Sequence, residues 1–187
     1  MLLKNSQLSL RAVEPEDLEI LYKWENSTEL WIHGNTLAPY SKLVLREYIN
    51  NAIEMDIYQS KQLRLMIDLV VKGEDVTIGT IDLYDIDPHN HRAGMGILID
   101  ETYRKKQYAT QALGLMSDYA FNFLHLHQLY AYITLSNTKS ISLFEKAGFK
   151  HVGILKDWVQ RGERFEDVQL CQLINKSANE RGYKKSL

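Results

Sequence analysis

The stretch Gly96 to Leu113, GILIDETYRKKQYATQAL, runs from an apolar strand through a short turn into a helix, and it restricts the chain to folds in which a strand hands directly over to a helix at a sheet's end. The helix is well marked, with apolar residues at 109, 112, 113, 116, 119, 120 and 123 across Tyr108 to Leu124. The turn ahead of it holds Arg104, Lys105 and Lys106. A helix start already carries about half a positive charge on its unpaired N–H groups, so three cations there are misplaced unless an anion lies among them. Main-chain N–H groups of such a turn converge on one point and suit a phosphate; a solvated basic loop is the bland alternative. The sequence contains neither a GKT-type phosphate loop nor GxGxxG, so it supports neither a P-loop nor a dinucleotide fingerprint.

The rest of the chain supplies strands and helices in an order that fits a mixed sheet with helices on its faces. Leu8 to Val13 alternates as a strand, and Glu14-Pro15 opens a helix that runs to about Glu25. Ser41 is the expected N-cap of a helix from Leu43 to Tyr58. Extended runs follow at Leu63 to Val71 and Val76 to Ile86, joined by the turn KGED, and then at Arg92 to Ile99. Beyond the central helix come a strand at Leu129 to Leu135, a helix from Asn137 to Ala147 ended by Gly148, and strands at Lys150 to Leu155 and Phe165 to Ile174. Residues 1–175 read as one domain and 176–187 as a polar tail.

Composition removes several function classes. A formal net charge of −2 gives no global attraction to nucleic acid, so the basic character acts only locally, at 104 to 106. No stretch approaches ~18 consecutive apolar residues and the N-terminus lacks an apolar signal core, which points to a cytoplasmic protein with no membrane partner. The single cysteine, Cys171, lies in the apolar run VQLCQLI and reads as a buried structural thiol. His33, His89 and His91 lack metal-ligand spacing, and no metal is expected.

ETYRKKQYATQAL, followed about thirty residues later by NTKSISLFEKAGFKHVG, resembles the GNAT superfamily of acyl-CoA N-acyltransferases, whose pyrophosphate loop has the form Q/R-x-x-G-x-G/A. The nearest subgroup holds bacterial spermidine N-acetyltransferases and ribosomal-protein N-terminal acetyltransferases. The resemblance runs from about Leu8 to Ile174 and implies an α/β fold, with a largely antiparallel central sheet flanked by helices. It implies acetyl-CoA as co-substrate and direct attack of an amine in a ternary complex. The acceptor would be a small amine or polyamine, or a protein N-terminus. On this resemblance Ile97, Leu98 and Ile99 pair their backbone with the pantetheine arm, an N–H near Leu98 polarises the thioester carbonyl, and Arg104, Lys105, Lys106, Gln107, Tyr108, Ala109 and Thr110 cradle the pyrophosphate. Asn137 and Ser140 contact the pantetheine or adenosine side, and the helix through Phe144 flanks the thioester.

Two departures from the family pattern raise chemical questions. Gln107 stands where the first glycine of the loop is usual, which leads us to expect ordinary helical φ/ψ there, with the side chain turned outward. Phe144 stands where many members have a tyrosine that protonates the leaving thiolate, and Gly94 where many have a glutamate. A positioned acid contributes ~10²–10⁴ in rate, yet a thiolate of pKa near ~8.5 is a tolerable leaving group without one. Tyr132 is the alternative acid if its side chain faces the cleft. For the amine, Asp85 is the preferred carboxylate; Asp82, three residues earlier, falls on the opposite face of an ideal strand unless a bulge intervenes. Trp31 and Tyr40, in an irregular aromatic segment, either line the acceptor site or plug an edge of the core. Phe144 and Gly94 also leave open a non-catalytic acyl-CoA-binding module, and exposed-looking aromatics allow a homodimer.

Overall fold

The computed structural model describes residues 2–32, 34, 36–71 and 74–176. Met1, His33, Asn35, Lys72, Gly73 and the tail from 177 lie outside the described residues, so the KGED turn is described only from Glu74. Seven strands form one sheet: β1 (Leu8–Ala12), β2 (Leu63–Leu69), β3 (Val76–Asp87), β4 (Arg92–Ile99), β5 (Gln128–Thr134), β6 (Lys150–Arg161) and β7 (Arg164–Ile174), in the order β1-β2-β3-β4-β5-β7-β6. All neighbours are antiparallel except β4 and β5. Among the described residues six α-helices accompany them: α1 (Leu18–Glu25), α2 (Thr28–Trp31), α3 (Lys42–Glu54), α4 (Ile57–Ser60), α5 (Tyr108–Asn122) and α6 (Thr138–Lys146).

Alternation along the strands divides the buried residues between the two faces. Leu65, Ile67, Ile81, Leu83, Ala93, Met95, Leu129, Ala131 and Ile133 meet Ala112, Leu113, Met116 and Ala120 of α5, with Phe144 and Phe149 beside them. Met66 points the other way, into a second cluster with Val13, Leu18, Leu21, Trp24, Leu45 and Ile49, so α1 and α3 cover the opposite face. Helix ends follow their expected signals: Ser41 accepts from Val44 N–H, Asn137 accepts from Ser140 N–H, and Gly148 takes φ 96° after α6. Among the described residues no helix is long and apolar enough to cross a membrane.

Three local expectations are corrected. The helix expected over 43–58 breaks after Glu54: Met55 is extended, and Asp56 caps the separate turn α4 by accepting from Tyr58 and Gln59 N–H. Pro15 to Asp17 is a 3-10 turn ahead of α1. β6 runs on to Arg161 and turns tightly through Gly162 (φ 62°) into β7, because its outer half is held by pairing and carries no burial pattern for the sequence to display.

Candidate functional site

The parallel contact between β4 and β5 is only three residues long: Arg92↔Gln128, Ala93↔Leu129 and Gly94↔Tyr130. Beyond it the two strands separate, although both continue, so the sheet holds a wedge-shaped gap bordered by residues 95–99 and 131–134. Asp100 N–H donates to Ile78 of β3 (2.8 Å), and backbone direction alternates along a strand, so Leu98 and Gly96 also face β3. The groups that open into the gap are therefore those of Met95, Ile97 and Ile99. The expected N–H near Leu98 is therefore that of Ile97 or Ile99; the Leu98 amide itself, also expected to pair with the arm, lies on the β3 side, opposite Thr80. A free strand edge inside a sheet costs about 1–3 kcal/mol for each buried polar group left unpaired, and an extended amide-bearing chain can satisfy it.

At the wide end of the gap stands the cationic loop. Arg104 Nε donates to the free carbonyl of Ile99 (2.9 Å), and Lys106 Nζ lies 5.5 Å from the centre of the Tyr103 ring. Gln107 is the N-cap position of α5 but makes no side-chain cap, and among the described residues the N–H groups of Lys105 to Thr110 have no protein acceptor. Lys105 (φ 63°) and Gln107 (φ 64°, ψ 6°) are both left-handed. The expectation of ordinary helical φ/ψ at Gln107 is thus overturned. The loop takes the backbone path a glycine would favour, with side chains in place, because β4 and the docked core face of α5 fix both of its ends. Tyr108, Ala109 and Thr110 are half-buried at the first turn of α5.

Asn137 and Ser140 are joined to each other by the α6 cap (3.2 Å). Phe144 is 3% exposed and packs edge-on against Phe149 at 5.0 Å, so its ring belongs to the core. Cys171 is buried, and Gln169 Nε2 donates to its sulfur (3.2 Å).

Asp82 and Tyr132, expected on the acceptor side, lie on the sheet face away from α5. Ile81 and Leu83 point into the α5 core, so Asp82 and Tyr84 project oppositely. Asp82 binds Arg64 (2.6 Å), which also binds Glu25 of α1 (2.6 Å) and lies 5.3 Å from the Tyr48 ring. Asp82 is thereby a partner of Arg64 rather than a bare carboxylate. Burial pushes the Tyr48 hydroxyl up to about 12. The β3–β4 register slips between Tyr84 and Asp87, with Asp85 left-handed at φ 48° and exposed. The bulge that would spoil the simple two-face count for Asp82 and Asp85 is therefore present.

Tyr132 is 46% exposed, with its ring 5.4 Å from that of Tyr130. Both line a cavity of about 240 Å³ with Arg92, Gln128, Val152, Leu170 and Gln172. A larger cavity, about 570 Å³, lies between α3, α4 and β2, away from the gap. Trp31 Nε1 donates to the Glu25 carbonyl (2.7 Å), and Tyr40 is clasped through its main chain by the Asn26 side chain (2.8 and 3.1 Å). These bonds hang the aromatic segment from the end of α1.

Several residues packed around these positions carry no motif in the sequence: Tyr84, Glu25, Arg64, and the pair Trp24 and Asp100. Asp100 ends β4, accepts from Trp24 Nε1 (2.9 Å) and Lys23 (3.2 Å), and starts the turn into the cationic loop. The indole donor, above all, holds its carboxyl well below the usual carboxylate range.

The acetyltransferase (GNAT) domain model matches residues 7–150. The spermidine N(1)-acetyltransferase of Vibrio cholerae is 27% identical over 170 residues, covering 91% of this chain and 94% of that protein. A putative ribosomal N-acetyltransferase of Bacillus subtilis is 24% identical over 188 residues, covering 92% and 93%. Among solved structures, the Vibrio cholerae spermidine N-acetyltransferase in complex with CoA and spermine has a TM-score of 0.81 at 27% identity, covering 91% of this chain and 96% of that one. An open sheet parted at β4 and β5, the uncapped helix beside it and these likenesses agree: the chain belongs to the GNAT acetyltransferases and is an N-acetyltransferase that uses acetyl-CoA.

Proposed function

We propose that the protein moves the acetyl group of acetyl-CoA to a primary amine by direct attack in a ternary complex. The observation that carries the placement is the free edge of Met95, Ile97 and Ile99 beside an uncapped, cation-bearing helix start. The pantetheine arm pairs with that edge. The pyrophosphate takes the N–H groups of residues 105 to 110 and the charge of Arg104, Lys105 and Lys106, with Asn137 and Ser140 flanking the far side of the arm.

An alkyl ammonium of pKa near ~10.4 has no lone pair at neutral pH, so one proton must leave before attack. Asp85, exposed on the bulge, holds the cationic amine and orients the water that takes this proton. The nitrogen then bonds to the thioester carbon and gives its second proton to the same water, the C–S bond breaks, and the electron pair departs on sulfur, to be protonated by solvent or by Tyr132. Glu25 and Asp82 share the single cation Arg64, which leaves net negative charge on the acceptor face and favours a cationic substrate. Trp31 and Tyr40 wall the entrance.

The Vibrio cholerae relative named for spermidine supports a small amine or polyamine; the Bacillus subtilis relative named for a ribosomal protein supports a protein N-terminus. A dodecameric neighbour, together with exposed Trp158 and Phe165 on β6 and β7, supports self-association, which light scattering would read. The deciding experiment follows thiol release and acetylated product with spermidine, spermine, simple diamines and peptide N-termini. We expect turnover that rises with pH as the amine loses its proton. Tight acetyl-CoA binding with no turnover on any amine would overturn the proposal.

A further inference from the structure

Tyr84 closes the gap at its narrow end. Gly94 lies opposite it in register, and a Cβ there would fall 2.1 Å from Tyr84 Cε2, 2.4 Å from Cζ and 2.7 Å from Cδ2. A Cβ at Gly96 would lie 3.8 Å from Cε1. The ring therefore rests on the β4 backbone across Gly94 and towards Gly96, in space that a side chain at 94 would need. Burial on this face, with the Tyr130 phenol beside it, raises the pKa of its hydroxyl. Tyr130 packs edge-on against the same ring at 6.1 Å and 87°. Tyr84 thus forms a bar from β4 to β5 where the strands converge.

The cationic loop sits at the opposite, wide end. A CoA whose pyrophosphate is held there and whose arm lies back along Ile99 and Ile97 points its acyl group at the bar. We infer that Tyr84 sets the acyl-chain length, admitting acetyl and excluding longer chains by blocking the convergent end of the gap; this rests on the acetyl-CoA placement proposed above. The same ring explains Gly94: the position is empty because Tyr84 fills it, and the pair forms one device split between two strands.

The test compares acetyl-, propionyl-, butyryl- and hexanoyl-CoA. An added methylene in a close apolar pocket changes kcat/KM by about 10–200-fold. The wild type should therefore lose about 10-fold or more per added methylene. Tyr84→Ala should bring acetyl and butyryl to within about threefold of each other, whereas Tyr84→Phe, which keeps the ring, should retain the wild-type ratio. Tyr84→Val keeps a strand-forming residue and reads the same ratio if the alanine variant does not fold. A wild type that uses butyryl-CoA as well as acetyl-CoA, or a folded Tyr84→Ala with an unchanged ratio, would overturn the inference. Dissociation constants of the same acyl-CoAs, measured calorimetrically without amine, separate it from the transfer reading. If no amine is acetylated, the acetyl-to-butyryl affinity ratio in wild type and variant still decides the role of Tyr84.

Discussion

At the scale of single residues, the backbone cost of the cationic loop is concentrated in Lys105 and Gln107. A left-handed residue with a Cβ costs roughly 1–2 kcal/mol, and a glycine in its place gives back part of that as unfolded-chain entropy, about 0.5–1 kcal/mol. Gln107→Gly should accordingly stabilise the protein by about 0.5 kcal/mol in urea denaturation, while Gln107→Val, β-branched at positive φ, should destabilise it by more than about 1 kcal/mol. Equal effects of the two would show that the loop relaxes out of the left-handed path. The sequence shows that the glycine is missing, but not what the backbone does about it. Asp100, held by Trp24 at one end, and the Ala112, Leu113 and Met116 face of α5 at the other leave the chain no helical route between them.

Asp100 also carries a pH signature. Its folded pKa is depressed, so its contribution is complete above the unfolded carboxylate value near ~3.9 and is lost as pH falls through the lower folded value. Trp24→Phe should cost about 1 kcal/mol at pH 7, solvent screening keeping it modest, and the gap between wild type and variant should narrow as pH drops below about 4. Thermal melts at pH 7, 5 and 3 measure it; a gap that widens in acid would contradict the assignment.

At the scale of elements, the start of α5 and the edge of β4 act together. No side chain caps α5, and three cations lie against its positive end, so the apo loop repels itself and an anion relieves both effects. Lys105→Glu with Lys106→Glu should weaken acetyl-CoA binding about tenfold or more and flatten its salt dependence, each charge at a helix end being worth about 0.3–1 kcal/mol before the ligand's own charge is counted. Affinity unchanged by the double reversal would remove the pyrophosphate from this loop. The central helix and most strands were legible in the sequence because burial on one face stamps a period of 3.6 or 2 on the residues. The short contact of β4 with β5 was not, since residues 93–99 carry no polar side chain whether or not a neighbour is present. The split of α3 from α4 escaped because Ala52 and Ile53 keep helical spacing up to the break, and Asp56 acts as a cap only once Met55 has turned extended.

At the scale of the molecule, two arginines on the α1 side tie the layers together. Arg11 of β1 binds Asp17 ahead of α1 and Asp68 of β2, and Arg64 of β2 joins Asp82 of β3 to Glu25 at the end of α1. Arg64→Met leaves Asp82 and Glu25 without their shared cation and should destabilise the fold by about 3–5 kcal/mol, with loss of activity through movement of α1 and the aromatic segment hung from it. Adding Asp82→Leu should recover part of the stability in chemical denaturation, because the penalty comes from stranded charge rather than from a lost attraction. A loss below about 1 kcal/mol would mean that water reaches the cluster freely. The sequence by itself determined most of the elements, the α/β class, the cationic handover from β4 to α5 and the family resemblance, since each is written in residues close together along the chain. Tertiary structure alone decided which strand edge stays open, that Asp82 is spent on Arg64, that Gln107 is left-handed and that Tyr84 occupies the space of Gly94. Each of these depends on residues brought together from distant parts of the chain, and nothing local records which of two neighbours fills a shared volume or neutralises a shared charge.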